Sequence, residues 1–308
     1  FRETILLYDP KTSSTETKQH IAEVISHEIA HQWFGNLVTM KWWNDLWLNE
    51  SFATFMATKA VHRYYPHWDL WDQFLIGETS GAMSLDALKT SHPIDVEVNK
   101  PSEVREIFDE ISYNKGGSVL RMLENFLGEE NFRKGLKNYL TKHKYGNATT
   151  EDLWNVLEKV SKKPVRKMMD SWVRQVGYPI IEAMSKDSKM SLTQKRYLAE
   201  NDGKSQKGSW IVPVSIKTPY GVTFKLMTRP SETIALKDAD WFKLNSGQMG
   251  MYRVKYGDDM LEKFKELVEQ KVLSNTDRWG LHHDLFALCV SGQISLKQFQ
   301  LDQKGIFP

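Results

Sequence analysis

An α+β chain of several domains is what this sequence predicts, and three observations carry the prediction. Apolar residues follow helical spacing through residues 1–177, a period of two takes over across 178–257, and helical spacing returns over 258–308. The expected domains are therefore a mainly helical one over 1–177, a small all-β one over 178–257, and the opening of a helical one over 258–308. The 308 residues are enough for more than one core. No repeat or low-complexity linker interrupts them, so the segments should pack directly on one another.

Phe1 to Tyr8 reads as a strand already under way, with no polar cap ahead of it, and Gly305 to Pro308 stops just after a helical pattern. The sequence is read as an internal piece of a larger protein. Residues 15–34 give a helix ended by Gly35, then a short extended stretch over 36–41. A second helix covers 46–65 and breaks at Pro66, and a third is expected over 68–88. Ser102 can cap a helix running to Leu127 across Gly116-Gly117, where paired glycines signal a kink or a close backbone approach. Helices follow over 131–142, 150–161 and 164–175, the second opened by Thr149-Thr150-Glu151-Asp152, a capping-box pattern. Strands are expected over 180–184 and 190–194 around the turn Lys186-Asp187-Ser188, then over 211–217, 222–227, 232–236 and 251–255. Helical spacing returns at Met260, Phe264, Leu267 and Val268 and again over 279–290.

Composition removes several function classes. Forty-one Lys and Arg against 39 Asp and Glu leave a net charge of +2, too near balance to draw the chain onto nucleic acid or an anionic membrane. No apolar run approaches the roughly 18–20 residues of a membrane span. The single cysteine, Cys289, excludes an intrachain disulfide and suits a reducing compartment, so the expected location is the cytoplasm. What stands out is aromatic bulk, 11 Trp, 11 Tyr and 14 Phe, with much of the Trp between Trp33 and Trp71.

The chemistry sits in that stretch. His27-Glu28-Ile29-Ala30-His31 places two imidazoles at i and i+4 on one helix, one turn apart, so both can reach one ion, and Glu28 is placed to reach a water there. The short pattern alone is weak, because with nine histidines it arises by chance in about one or two such chains per hundred. Context strengthens it. The helix is apolar on nearly all sides (Ile21, Val24, Ile25, Ile29, Trp33, Phe34), as a buried helix would be, so ionisable groups on it need partners. Glu50, which follows His31 after 18 intervening residues, lies in a second apolar helix, and a shared divalent cation would compensate all three groups. Two His and one Glu form a catalytic zinc set with a fourth position open. The aromatic segment between them would be the dry wall of the site.

His27 to Thr39 together with Trp43 to Glu50 resembles the zinc-site signature of the M1 family of aminopeptidases, gluzincins with a thermolysin-like fold. Ser91-His92-Pro93-Ile94, Phe108 to Gly116 and Asn275-Thr276-Asp277-Arg278 agree with it, and within the family the chain looks closest to the cytosolic puromycin-sensitive and archaeal tricorn-interacting branches. The resemblance implies a thermolysin-like catalytic lobe over 1–177, a β-sandwich over 178–257 and the start of an α-helical repeat domain over 258–308. It implies one zinc ion per chain on His27, His31 and Glu50, with Glu28 as general base and Tyr113 as the phenol that hydrogen-bonds the oxyanion. Asp45 and Asn49 are either partners that orient the ligands or, equally, helix-start capping and local packing. The implied substrates are peptides with a free N-terminus. The family's Gly-x-Met-Glu-Asn motif, whose glutamate holds the substrate amine, is not in the chain, and the remaining N- and C-terminal parts of the parent protein are its expected partners. Two alternatives follow: a metalloendopeptidase, or a non-catalytic peptide-binding fragment.

Overall fold

The computed structural model describes residues 3–200, 208–236 and 239–306. Contacts gather the chain into two compact units, one formed by residues 1–82 with 94–166 and the other by 83–93 with 167–308. Helices and several small sheets make it an α+β protein, as the apolar periods predict.

In the first unit, α1 (Thr15–Ala30) starts where the Ser14 hydroxyl accepts the Thr17 N–H at 3.1 Å. It ends five residues before Gly35, whose φ of +143° lets the chain double back into the short strand β1 (Val38–Met40). Helix α2 (Trp47–Tyr64) packs on α1 and stops before Pro66. The helix expected over 68–88 is interrupted. It runs as α3 (Leu70–Phe74), a π turn over Leu75–Thr79 that contains Gly77, and α4 (Ser80–Asp86), which from Met83 onward belongs to the second unit. The helix expected from Ser102 is also corrected: a 3-10 turn covers Pro101–Ile107, a π turn covers Ile111–Lys115, and only then does α5 (Gly116–Leu127) begin. Helix α6 (Glu129–His143) leads to β2 (Gly146–Ala148), which pairs in parallel with β1. Helix α7 (Thr150–Ser161) carries the capping box in full, Thr149 accepting from the Asp152 N–H and Asp152 from the Thr149 N–H.

Three further expectations need correction. Residues 1 and 2 of the strand expected over 1–8 lie outside the described residues, and Glu3–Ile5 form a 3-10 turn. Helix α1 is not enclosed among the described residues: Ala30 is its buried residue, while Ile25, Ile29 and, just beyond its end, Trp33 are exposed. The aromatic stretch does not form a dry wall either. Trp47 is buried against Phe52 and Trp154 of α7, and Trp33 and Trp42 are about half exposed, at 47% and 50%. Aromatic mass there seals α2 to α7 rather than lining the histidines.

The second unit contains α8 (Val165–Val173) from Lys167 onward, then two sheets. Strands β3 (Pro179–Lys186) and β4 (Lys189–Arg196) form the expected hairpin, with Asp187 and Ser188 both at positive φ as a tight two-residue turn requires. Strands β5 (Val212–Thr218), β6 (Gly221–Met227), β7 (Ser231–Ala235), β8 (Lys243–Leu244) and β9 (Arg253–Tyr256) complete them. The sheet orders are β7-β4-β3-β9, with β3 and β9 parallel, and β6-β5-β8. Along β4, Met190, Leu192 and Gln194 face inward while their neighbours face water. The Gln194 amide ties the sheets together, donating to the Trp210 carbonyl at 2.8 Å and accepting the Trp210 N–H at 2.9 Å. Helices α9 (Asp258–Glu269), α10 (Asn275–Val290) and α11 (Leu296–Ile306) follow. No helix among the described residues is long and apolar enough to cross a membrane.

Candidate metal centre

Helical spacing sets His27 and His31 one above the other on α1, and the packing of α1 on α2 brings Glu50, in the first turn of α2, to face them. The His27 and His31 Nε2 atoms lie 3.1 Å apart. Each is 3.4 Å from Glu50 Oε2. Among the described residues this is the one group of three or more His, Cys, Asp or Glu whose donor atoms converge closely enough to hold a metal ion. The two Nε2–Oε2 distances fit the donor set, because ligand atoms bonded at about 2.0–2.2 Å to a tetrahedral ion stand about 3.3–3.6 Å apart; the two Nε2 atoms stand slightly closer than that.

The site is oriented from behind. His31 Nδ1 lies 3.0 Å from the Phe34 carbonyl oxygen, an arrangement that makes Nδ1 the donor and frees Nε2 to face the cluster. Burial alone would raise the pKa of Glu50, but hydrogen bonds from His27, His31 and Tyr113, with the His31 charge, hold it down at about 2. The same Glu50 contact raises His31 against the opposing effect of its own burial. The Tyr113 ring stacks on that of His27, with centroids 6.1 Å apart and planes 15° from parallel. Burial first, then the carboxylates of Glu50 and Glu28, push the phenol's pKa well up, so at neutral pH it stays a proton donor. Glu28 is exposed on the open side of α1, close enough to raise both Tyr113 and His31.

The structure thus brings His27, Glu28, His31, Glu50 and Tyr113 together. It gives Asp45 and Asn49 other partners. The Asp45 carboxylate is buried and accepts the Thr150 hydroxyl at 2.5 Å, tying the start of α2 to α7. The Asn49 amide donates to the Met40 sulfur at 3.4 Å. Neither bonds a member of the cluster among the described residues; local packing fits Asn49, whereas Asp45 makes no capping bond at the start of α2, where Leu46 stands at the N-cap, and bonds Thr150 instead. Sequence reasoning missed the carbonyl of Phe34, which faces His31, and the hydroxyl of Ser51, which bonds the Ser112 carbonyl. Gly35 and Gly116 were the available signals, since each glycine marks a backbone pressed against the site.

The chain is similar to known proteins over its whole length. A model of the peptidase family M1 domain matches residues 1–172, and a model of the ERAP1-like C-terminal domain matches residues 241–300. The chain is 45% identical over 307 residues to tricorn protease-interacting factor F2 of Thermoplasma acidophilum, covering 100% of this chain and 38% of that protein. It is 45% identical over 314 residues to aminopeptidase M1 of Arabidopsis thaliana, with 96% and 35% covered. It is 43% identical over 302 residues to the alanine/arginine aminopeptidase of Saccharomyces cerevisiae, with 97% and 35% covered. The chain therefore spans less than two-fifths of the length of these curated relatives.

Proposed function

The chain belongs to peptidase family M1, and from that premise we propose that the protein carrying it is a zinc-dependent aminopeptidase, acting in the cytoplasm on peptides with a free N-terminus. The observation that carries the proposal is the convergence of His27 Nε2, His31 Nε2 and Glu50 Oε2, with Glu28 and Tyr113 beside it. The relatives' names support the exopeptidase reading, and the lone thiol of Cys289 suits the location.

His27, His31 and Glu50 would hold the zinc ion, which supplies Lewis acidity towards a peptide carbonyl and towards water. Glu28 acts as general base. Its carboxylate takes the proton from the attacking water and passes it to the nitrogen of the departing amine. The Tyr113 phenol, kept protonated by its surroundings, donates to the carbonyl oxygen as negative charge develops there.

Glu28→Gln tests this directly, with metal content and turnover measured on a peptide and on its N-acetylated twin. The expected outcome is stoichiometric zinc, a loss of kcat of at least about a hundredfold, and, in the wild type, cleavage of the free peptide only. Retained turnover in the variant removes Glu28 as base, and equal cleavage of both peptides replaces the exopeptidase reading with an endopeptidase.

A further inference from the structure

Tyr113 stands in a π turn, and in such a turn backbone bonds skip an extra residue and the regular helix ladder no longer fixes where a side chain points. Something else must place the phenol. On one side of the turn, Asp109 Oδ1 accepts the N–H groups of Ile111 at 3.0 Å and Ser112 at 3.2 Å. On the other side, the Ser112 carbonyl, one peptide before Tyr113, accepts the hydroxyl of Ser51 at 2.5 Å. Ser51 is fully buried and directly follows Glu50 in α2. A serine inside a helix commonly bonds its own helix one turn back. Ser51 instead reaches across to a second segment.

Gly116 makes that reach possible. A Cβ built on Gly116 would collide with the Ser51 Oγ, whereas one on Gly117 would meet its neighbours at ordinary distances of 3.4 Å or more. The hydroxyl and the missing side chain are a matched pair. Between them they press the Tyr113 turn onto the turn of α2 that carries Glu50.

We propose that Ser51 is a positioning residue, whose hydroxyl bond to the Ser112 carbonyl registers the Tyr113 phenol against the Glu50 end of the metal cluster. The inference rests on the reading of Tyr113 as the oxyanion donor. Ser51 touches neither substrate nor ion in this arrangement; it acts through the backbone that bears Tyr113. Misplacing a catalytic group by about 1 Å can cost up to a hundredfold in rate, so losing the bond should be visible in kcat.

A double-mutant cycle in the intact protein separates the possibilities. Ser51→Ala should keep stoichiometric zinc, leave KM within about twofold and lower kcat about tenfold, and in a Tyr113→Phe background it should lower kcat no further. Ser51→Cys, whose thiol is a weaker donor, should fall between Ser and Ala. An equal loss in both backgrounds, loss of zinc, or no loss in Ser51→Ala would overturn the positioning role while leaving the reading of Tyr113 intact. Unchanged kcat in Tyr113→Phe alone would overturn the oxyanion reading and this inference with it.

Discussion

The His27–His31–Glu50 cluster and the Lys217–Lys243–Asp277 cluster both gather charge away from water, but they close differently. In the second unit, Asp277 Oδ1 pairs with Lys243 Nζ at 3.0 Å and accepts the Gly247 N–H at 2.7 Å, and Oδ2 pairs with Lys217 Nζ at 3.1 Å. The Lys243 ammonium also donates to the Asn245 carbonyl at 2.9 Å. Burial pushes Asp277 up, and the Lys243 charge with the Gly247 bond more than reverses it. Both ammonium groups there find a carboxylate oxygen inside the protein. In the first unit, His27, His31 and Glu50 converge with side chains still 13–19% exposed, and the charge that helps hold Glu50 down is that of a titratable imidazole rather than of a fixed ammonium. A closed network holds a fold together; a convergent, half-open one awaits a ligand.

The largest expected effect tests the closed network. Asp277→Ala leaves Lys243, 1% exposed, without its counter-charge. Removing one partner of a buried pair typically destabilises by about 3–5 kcal/mol, so denaturant unfolding should show a loss of that size. A loss below about 1 kcal/mol would mean that water reaches Lys243, and the contrast with the metal cluster would fail.

Next comes the open cluster, read through linkage. A ligand bound only by the folded state at about a hundredfold its Kd adds about 2.7 kcal/mol of stability. Zinc should therefore raise the Tm of the wild type, and Glu50→Gln should abolish most of that rise. The milder variant Asp277→Asn should start from a lower Tm yet keep the zinc increment. If Asp277→Asn lost the increment instead, the two clusters would not be independent.

How much of this was legible in the sequence follows from the range of each interaction. Residues near one another in the chain announced themselves: the histidine pair one turn apart, the capping box at Thr149, the turn at Asp187-Ser188. Glu50 was legible because a lone acid in an apolar helix demands a partner. The closed networks were not. Asp45 finds Thr150 at a separation of 105 residues, and Lys217 finds Asp277 at 60. No local period encodes such pairings. Asn275-Thr276-Asp277-Arg278 was recognisable as a family stretch, yet its role in neutralising two lysines appears only once β5, β8 and α10 are assembled. The π turns were missed because apolar spacing reads straight through them: Tyr113 alone could not show that its backbone is held by Ser51. Where burial was inferred from α1's apolar surface, spacing was right and environment wrong, since periodicity says which faces are apolar and not what covers them.

The smallest effect concerns a group that belongs to neither plan. Glu78, in the π turn after α3, is a half-buried carboxyl whose pKa rises to about 7, chiefly from desolvation and further from the nearby Glu23, with its own backbone N–H opposing. Among the described residues, no lysine or arginine figures among the causes of its shift, and it does not converge with metal-ligating groups. Its ordinary value is 4.5, so between 4.5 and about 7 the folded protein holds a proton that the unfolded chain releases. By linkage, Glu78 then makes stability fall as pH rises through that window, with no further change from this group above or below it. Glu78→Gln removes the titration. The variant should match the wild type near pH 4.5 and exceed it by about 1–2 kcal/mol at pH 8, measured by chemical denaturation at each pH. A gain of the same size at both values would assign the effect to packing. A loss at pH 8 would mean that the ionised carboxylate has a cationic partner, and Glu78 would then join the closed class.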